Sequence, residues 1–433
     1  MKTTNCFLIN KLLPVCIYFL FVFFANYIQA EQLPPKTDDS ENYIEYKGSV
    51  VDHKTGESLP YASLTVAGTN ISVVTNSEGQ FLLKLSKDNT PNTKIVVSFI
   101  GYKNKQVLLS DLKSAKSRIE LEPTAIQLPE LSVSSTDAAE LIRAVLDKKG
   151  VNYFDTPTLM TAFYRETIRK NKAYASLSEA VVEINKQPYD SYKQDAVRLF
   201  KSRKRADYTK LDTLLFKLMG GPFSSLYLDV MKYPDVLFTE NMMENYKFTF
   251  DRSTYIDKAL IYVVDFKQRS GKTEPLYFGK LYIDAQSLAM KSAVFSLNIS
   301  DKDEAARMFI MKKPLNARAY PTETKYRIDY LERDGKWYYG YSRIELGLKI
   351  IWKKKLFNTN YFSTVEMAVT DWGKSAEKKS FDFKNRLKPS VIIADEASGF
   401  TDPQFWGEFN VIEPEKSIET AIKKIQKQLE KQQ

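Results

Sequence analysis

The chain has 433 residues, too many for one ordinary compact unit, and its 43% apolar and 27% charged content is enough to build real cores, which excludes wholesale disorder. One histidine and two cysteines exclude histidine-based zinc hydrolysis and cysteine metal clusters. The formal charge of +10 calls for anionic surroundings, and their kind depends on where the chain resides.

Residues 1–30 read as a secretory leader: Lys2 and Lys11 precede an apolar run, Val15 to Ala25, and the small residue Ala30 suits cleavage before Glu31. The alternative is a retained anchor, for which Leu12 to Ile28, interrupted by Pro14 and Asn26, is short. Cys6 and Cys16 both lie in this leader, so the cleaved chain would carry no thiol, and Cys16, after "LPV" inside the apolar run, does not suit lipoprotein processing. Export makes lipid, lipopolysaccharide, glycan or another envelope protein the expected partner, and nucleic acid is not expected.

Residues 31–43, with paired prolines, form a linker. The periodicity then becomes two: Ile44, Tyr46, Gly48 and Val50 share one side, as do Ala62, Leu64 and Val66, and then Phe81, Leu83 and Leu85, with turn signals between. This predicts a small antiparallel β-sandwich. In "VVTNSEGQFLLKL" the acidic, glycine-marked centre suggests a calcium loop, but only Asn76, Glu78 and Gly79 fit that pattern, so it predicts a hairpin turn with Gly79 at positive φ.

The motifs "G-S-V-V-D", "G-E-S-L-P-Y-A-S-L-T-V", "T-N-S-E-G-Q-F" and "F-I-G-Y", in that order over residues 44–123, resemble the carboxypeptidase-regulatory-like domain, a prealbumin-type sandwich of exported envelope proteins that include TonB-dependent receptors. The resemblance implies fold and compartment; the domain it names is an accessory, not the peptidase. His53, in a Gly-containing turn, reads as an exposed loop residue, and no "G-x-S-x-G" surrounds any serine, so a serine triad is not expected.

Residues 124–160 supply a linker and a helix, in which Asp137 caps, Leu141, Ile142, Val145 and Leu146 form one face, and Gly150 stops the helix. The "LPELSV" before it resembles the lead-in to the plug of TonB-dependent receptors, yet the rest of the chain is too short for their plug and very large barrel at ~10 residues per strand.

Residues 161–400 are expected to form a β-rich domain. Its basic, partly helical stretch carries Lys201, Arg203, Lys204 and Arg205, a candidate anion-binding cluster or a solvated surface. From Tyr246 to about Trp372 strand follows strand, with turns at Gly271, Asp284–Ser287 and Asp334-Gly335. Tyr326, Ile328 and Tyr330 alternate with Lys325, Arg327 and Asp329, as in a sheet wet on one face. The phrase "YFGKLYIDAQSLAMKSAVFSL" resembles the half-open barrels of periplasmic lipoprotein-carrier proteins, which implies a concave surface for lipid; Tyr277, Leu281, Ile283 and Phe295 are the candidate apolar ligand face, or ordinary core. Residues 401–433 close the chain with an amphipathic helix that Pro414 opens and whose stripe, Ile418, Ile422, Ile425 and Leu429, is expected to dock on the sheet.

The predicted fold is therefore mainly β with accessory helices: a sandwich, a larger curved antiparallel sheet resembling a half-barrel, and a C-terminal helix. The expected function is a non-catalytic, exported binding or scaffolding protein of the periplasm or outer membrane, without metal or cofactor. A transport-associated or barrel component is one alternative. A glycan hydrolase working with carboxylates such as Asp251 and Asp265 is the other.

Overall fold

Alternation of apolar and polar residues at period two dominates the chain, and strands dominate the structure. The computed structural model describes residues 42–124, 135–171, 173–206, 220–271, 274–309, 317–353, 358–374, 385–396, 405–420 and 422. The predicted leader, the linker before Asn42, and Ile425 and Leu429 lie outside the described residues. Among the described residues no helix is long and apolar enough to cross a membrane.

The first seven strands are β1 (Tyr43–Asp52), β2 (Ser63–Val66), β3 (Ser72–Val74), β4 (Gln80–Ser86), β5 (Lys94–Ser98), β6 (Lys105–Leu108) and β7 (Ser117–Leu121). They form two sheets, β4-β1-β7 and β3-β2-β5-β6. Between the sheets lie Val50, Leu64, Val66, Phe81, Leu83, Ile95, Val97 and Leu121, all fully buried, which accounts for the alternation in β1, β2 and β4. The pairing is not wholly antiparallel as predicted, because β7 runs parallel to β1. Gly48 is required by packing: a Cβ there would stand 2.2 Å from the Ser117 carbonyl oxygen and 2.8 Å from the Phe81 ring.

The "TNSEG" turn differs from the expected hairpin. β3 and β4 belong to opposite sheets, so the turn is an arch from one layer to the other. Asn76 holds it, its Oδ1 accepting the Glu78 and Gln80 amides, each at 2.9 Å, and Gly79 adopts φ +74°.

The second sheet has ten strands: β8 (Thr158–Lys170), β9 (Ala173–Lys186), β10 (Ala196–Ala206), β11 (Tyr246–Ile256), β12 (Ala259–Gln268), β13 (Tyr277–Asp284), β14 (Met290–Leu297), β15 (Ala317–Arg333), β16 (Lys336–Trp352) and β17 (Thr359–Lys374). Their order is β10-β9-β8-β17-β16-β15-β14-β13-β12-β11, antiparallel throughout and not closed. Residues 196–206, expected to be partly helical, are strand β10, since Val197, Leu199 and the basic residues after them pair with β9; residues 207–219 lie outside the described residues. Each edge strand is met at one point by another segment. Leu387 N–H donates to the Val197 carbonyl at β10, and Gly101 N–H donates to the Tyr255 carbonyl at β11.

One face of this sheet carries the main core. Tyr164, Val182, Leu281, Ile283, Ile328 and Met367 point into it, together with Ile142 and Val145 of helix α1 (Ser135–Asp147). Gly150 does not end α1; it lies inside the short α2 (Lys149–Asn152). The segment Pro222–Met243 is held to the same face by fully buried Lys186, whose Nζ lies 2.8 Å from Asp195 Oδ2 and 2.7 Å from Asp229 Oδ2. Burial works to lower the Lys186 pKa, but the two aspartates hold it above its usual value.

The opposite face is not simply wet. The sandwich and residues 405–418 cover part of it through Val74, Leu82, Phe163, Val181, Tyr341, Trp406, Val411 and Ile412. Asn410 acts as a strand fragment here, its Oδ1 accepting the Lys84 amide at 2.7 Å and its Nδ2 donating to the Lys84 carbonyl at 3.0 Å. A helical turn at 416–420 comes next, and Ile418 docks on Leu177 of β9 with Ile422 alongside.

Candidate functional site

The four apolar residues singled out by sequence are brought together, but by self-packing. Leu281, Ile283 and Phe295 are buried in the main core and Tyr277 is half-buried against it, with Phe295 stacked on Tyr326 at 5.2 Å between centroids. The predicted ligand face is filled by the chain's own side chains.

The basic run is divided between the faces of β10. Arg203 pairs with Glu179, its Nε 2.8 Å from Oε2, and its guanidinium lies over the Trp406 ring at 4.9 Å. Lys201 lies 4.9 Å over the Phe405 ring, so these two cations clamp residues 405–406. Lys204 is in register with Ser178 on the other face, and the Arg205 side chain lies outside the described residues. Asp251 and Asp265 flank Lys280 on an exposed surface, where Lys280 bonds Asp251 and lies 3.0 Å from Asp265; the hydrogen bond from Lys280 keeps Asp251 below the usual carboxylate range. His53 is exposed, 2.9 Å from Glu120. Among the described residues no group of His, Cys, Asp and Glu could hold a metal ion.

What the sequence left unseen is a row of charges under the sandwich. Residues directly opposite one another share a sheet face, and the registers align Arg203, Glu179, Arg165, Glu366, Arg343 and Arg327 on six adjacent strands. Arg165 donates to Glu179 at 2.7 Å, to Glu366 at 3.1 Å and to the Ile412 carbonyl at 2.8 Å. Arg343 donates to Glu366 at 2.7 Å and to Glu345 at 2.9 Å; Arg327 donates to Asp329 at 2.6 Å. Burial would push Glu179 up, but Arg165 and Arg203 bring it below its ordinary value.

Tyr61, in the "L-P-Y-A" motif, enters this row from the sandwich. Its ring lies 5.2 Å from the Arg327 guanidinium and 5.4 Å from that of Arg343, and it stacks on Tyr341 at 5.6 Å. Its backbone has φ +65°, an uncommon conformation for a bulky residue that marks a site worth inspecting. Burial pushes its hydroxyl up to about 12.

Beside Tyr61 a polar cleft of about 280 Å³ opens between sheet, sandwich and C-terminal segment, lined by Arg165, Arg169, Tyr174, Arg343, Glu345 and Glu415 among others. Most of its charges are spent on one another. Two charges differ: Glu415 is bonded to the Ser77 hydroxyl, and for Arg169 no carboxylate lies within ion-pairing distance among the described residues, its guanidinium sitting 5.7 Å from the Phe362 ring and 6.0 Å from the Tyr174 ring. The arrangement offers a planar cation framed by aromatics, in a cleft also lined by hydroxyls and by the carboxylates of Glu345, Glu366 and Glu415. Sequence could have flagged Arg169 only as one of 63 cations, since the register that places it here is non-local.

Residues 46–133 match the family of the CarboxypepD_reg-like domain. No curated protein matches the chain. Among solved structures, a DUF1329 family protein from Desulfovibrio piger is 10% identical, with 57% of this chain and 95% of that one covered and a TM-score of 0.23. A LolA superfamily protein from Nitrosomonas europaea is 10% identical over 53% of this chain and 93% of that one, with a TM-score of 0.17. Lipovitellin is 9% identical over 58% and 28%, with a TM-score of 0.25.

Proposed function

We propose that the chain is an exported, non-catalytic binding module of the cell envelope whose junction cleft takes an anionic saccharide. The observation that carries this reading is Arg169, a cation framed by Tyr174 and Phe362 at the wall of a 280 Å³ polar cleft and lacking a carboxylate partner among the described residues. Aromatic faces suit the apolar side of a sugar ring, the hydroxyls and Glu345 suit its hydroxyls, and Arg169 suits a uronate or phosphate group. A cleft of this size is near the lower bound of ligand sites, which fits one or two sugar units. The lipid alternative draws less support, because Leu281, Ile283 and Phe295 are buried in the main core. The leader-like residues 1–30 and the net charge of +10 are consistent with an anionic envelope setting.

Calorimetric titration of the chain with oligogalacturonate tests the proposal, with a neutral oligoglucose as comparison. Binding of the acidic sugar that falls at least about tenfold in Arg169→Ala supports it; equal binding by Arg169→Ala, or a preference for the neutral sugar, overturns it.

A further inference from the structure

The sandwich carries a second site that shares no residue with the junction cleft. Its two sheets end in strands β6 and β7, each with a sheet neighbour on one side only. The two edges meet where the Lys103 amide donates to the Glu122 carbonyl at 2.9 Å, and then diverge around a groove of about 430 Å³. Residues between β6 and β7 close its far end, and the Ser117 hydroxyl secures that loop, accepting the Lys113 amide at 2.8 Å and donating to the Lys113 carbonyl at 3.1 Å.

Two properties of the groove point to one occupant. The first is backbone: alternate residues of an edge strand direct their N–H and C=O away from the ladder, which makes such an edge a template for another strand. The molecule uses this itself, since Lys105 reaches across the groove to donate to the main-chain oxygen of Glu120 at 3.1 Å. The second is charge. Lys105, Lys113, Lys116 and Arg118 line the groove against the single carboxylate of Asp111. Arg118 is met by Glu120 at 3.1 Å, but Lys105, Lys113 and Lys116 have no carboxylate within ion-pairing distance among the described residues, and all three are exposed. Lysines on an edge deter a second basic chain and attract an acidic one.

We propose that the groove between β6 and β7 binds an extended acidic peptide segment of a partner protein by strand addition. The incoming backbone takes the free edge groups, Lys105 releases the Glu120 carbonyl, and the three lysines meet acidic side chains on the outward face of the added strand. A smooth polyanion would satisfy the charges and leave the edge backbone unused.

The test is fluorescence anisotropy with the full chain and a labelled peptide of alternating glutamate and valine. Three further probes accompany it: the same peptide N-methylated at alternate amides, a soluble polyanion (polygalacturonate), and vesicles containing anionic phosphatidylglycerol. The expected result is saturable binding of the unmodified peptide, weakened at least about tenfold by N-methylation and at least about tenfold in the Lys105→Glu, Lys113→Glu, Lys116→Glu variant. Equal affinity for the N-methylated peptide, tighter competition by the polyanion or vesicles at equal charge, or no binding of the unmodified peptide would overturn the proposal. The N-methylated arm uses the unaltered protein, so misfolding of the triple variant does not blunt the test.

Discussion

Arg165 donates from Nε to Oε1 of Glu179 across 2.7 Å, and both side chains are shut off from solvent beneath the C-terminal segment. This pair is the centre of the charge row that joins the two layers of the molecule. Burial makes such a pair expensive to break and inexpensive to replace as a whole. Glu179→Ala takes the Nε partner from Arg165, which keeps Glu366 and the Ile412 carbonyl, and removes one carboxylate from Arg203, so urea unfolding is expected to show a loss of about 3 kcal/mol, the low end for breaking a buried pair. The double variant Arg165→Met, Glu179→Leu is expected to lose less than the single one. A double variant weaker than Glu179→Ala would contradict the account of the row.

The sandwich was legible because its determinants are local, the alternation in "QFLLKL" and the turn residues of "TNSEG"; that this turn is an arch between layers rather than a hairpin, and that Gly48 is required by the Ser117 carbonyl, depend on contacts between distant strands. The strands of the large sheet other than β10 were legible for the same reason, down to the positive-φ Asp334 and Gly335 at one hairpin. The charge row was not. Arg165, Glu366 and Arg343 sit in apolar strands as isolated charges, and only long-range register, with Arg165 and Glu366 201 positions apart, sets them side by side. The same non-locality hid that the run at Lys201 and Arg203 grips Phe405 and Trp406, and that the face expected to be wet lies beneath the sandwich.

Glu166, one position from Arg165 and on the opposite face, titrates in an unusual range. Burial pushes it up to about 7, the Asp395 carboxylate acts in the same direction, and the Tyr164 hydroxyl, donating at 2.8 Å, works against them. Its folded pKa is raised, so the folded chain holds this proton above pH 4.5 where the unfolded chain has released it. The stabilisation is full below 4.5 and is lost as pH rises towards about 7, an amount on the order of 3 kcal/mol. Subtracting the pH–stability curve of Glu166→Gln from that of the wild type is expected to isolate this downward slope. A flat or rising difference would contradict it.

Gly48 sets the spacing of β1 against β7 and Phe81. Gly48→Ala puts a methyl group 2.2 Å from the Ser117 carbonyl, an overlap that only strand separation relieves. The expected cost is about 1–3 kcal/mol, read as a lower melting temperature. An unchanged melting temperature would show that the sandwich yields at this point.

Whether the cleft beside Arg169 holds an anionic saccharide is tested most directly by native mass spectrometry of the chain purified from the cells that express it, alongside Arg169→Glu prepared the same way. A saccharide adduct bearing uronate or phosphate is expected on the wild type and none on the variant. An acyl-chain lipid adduct on both proteins, or the same saccharide retained by Arg169→Glu, would contradict it.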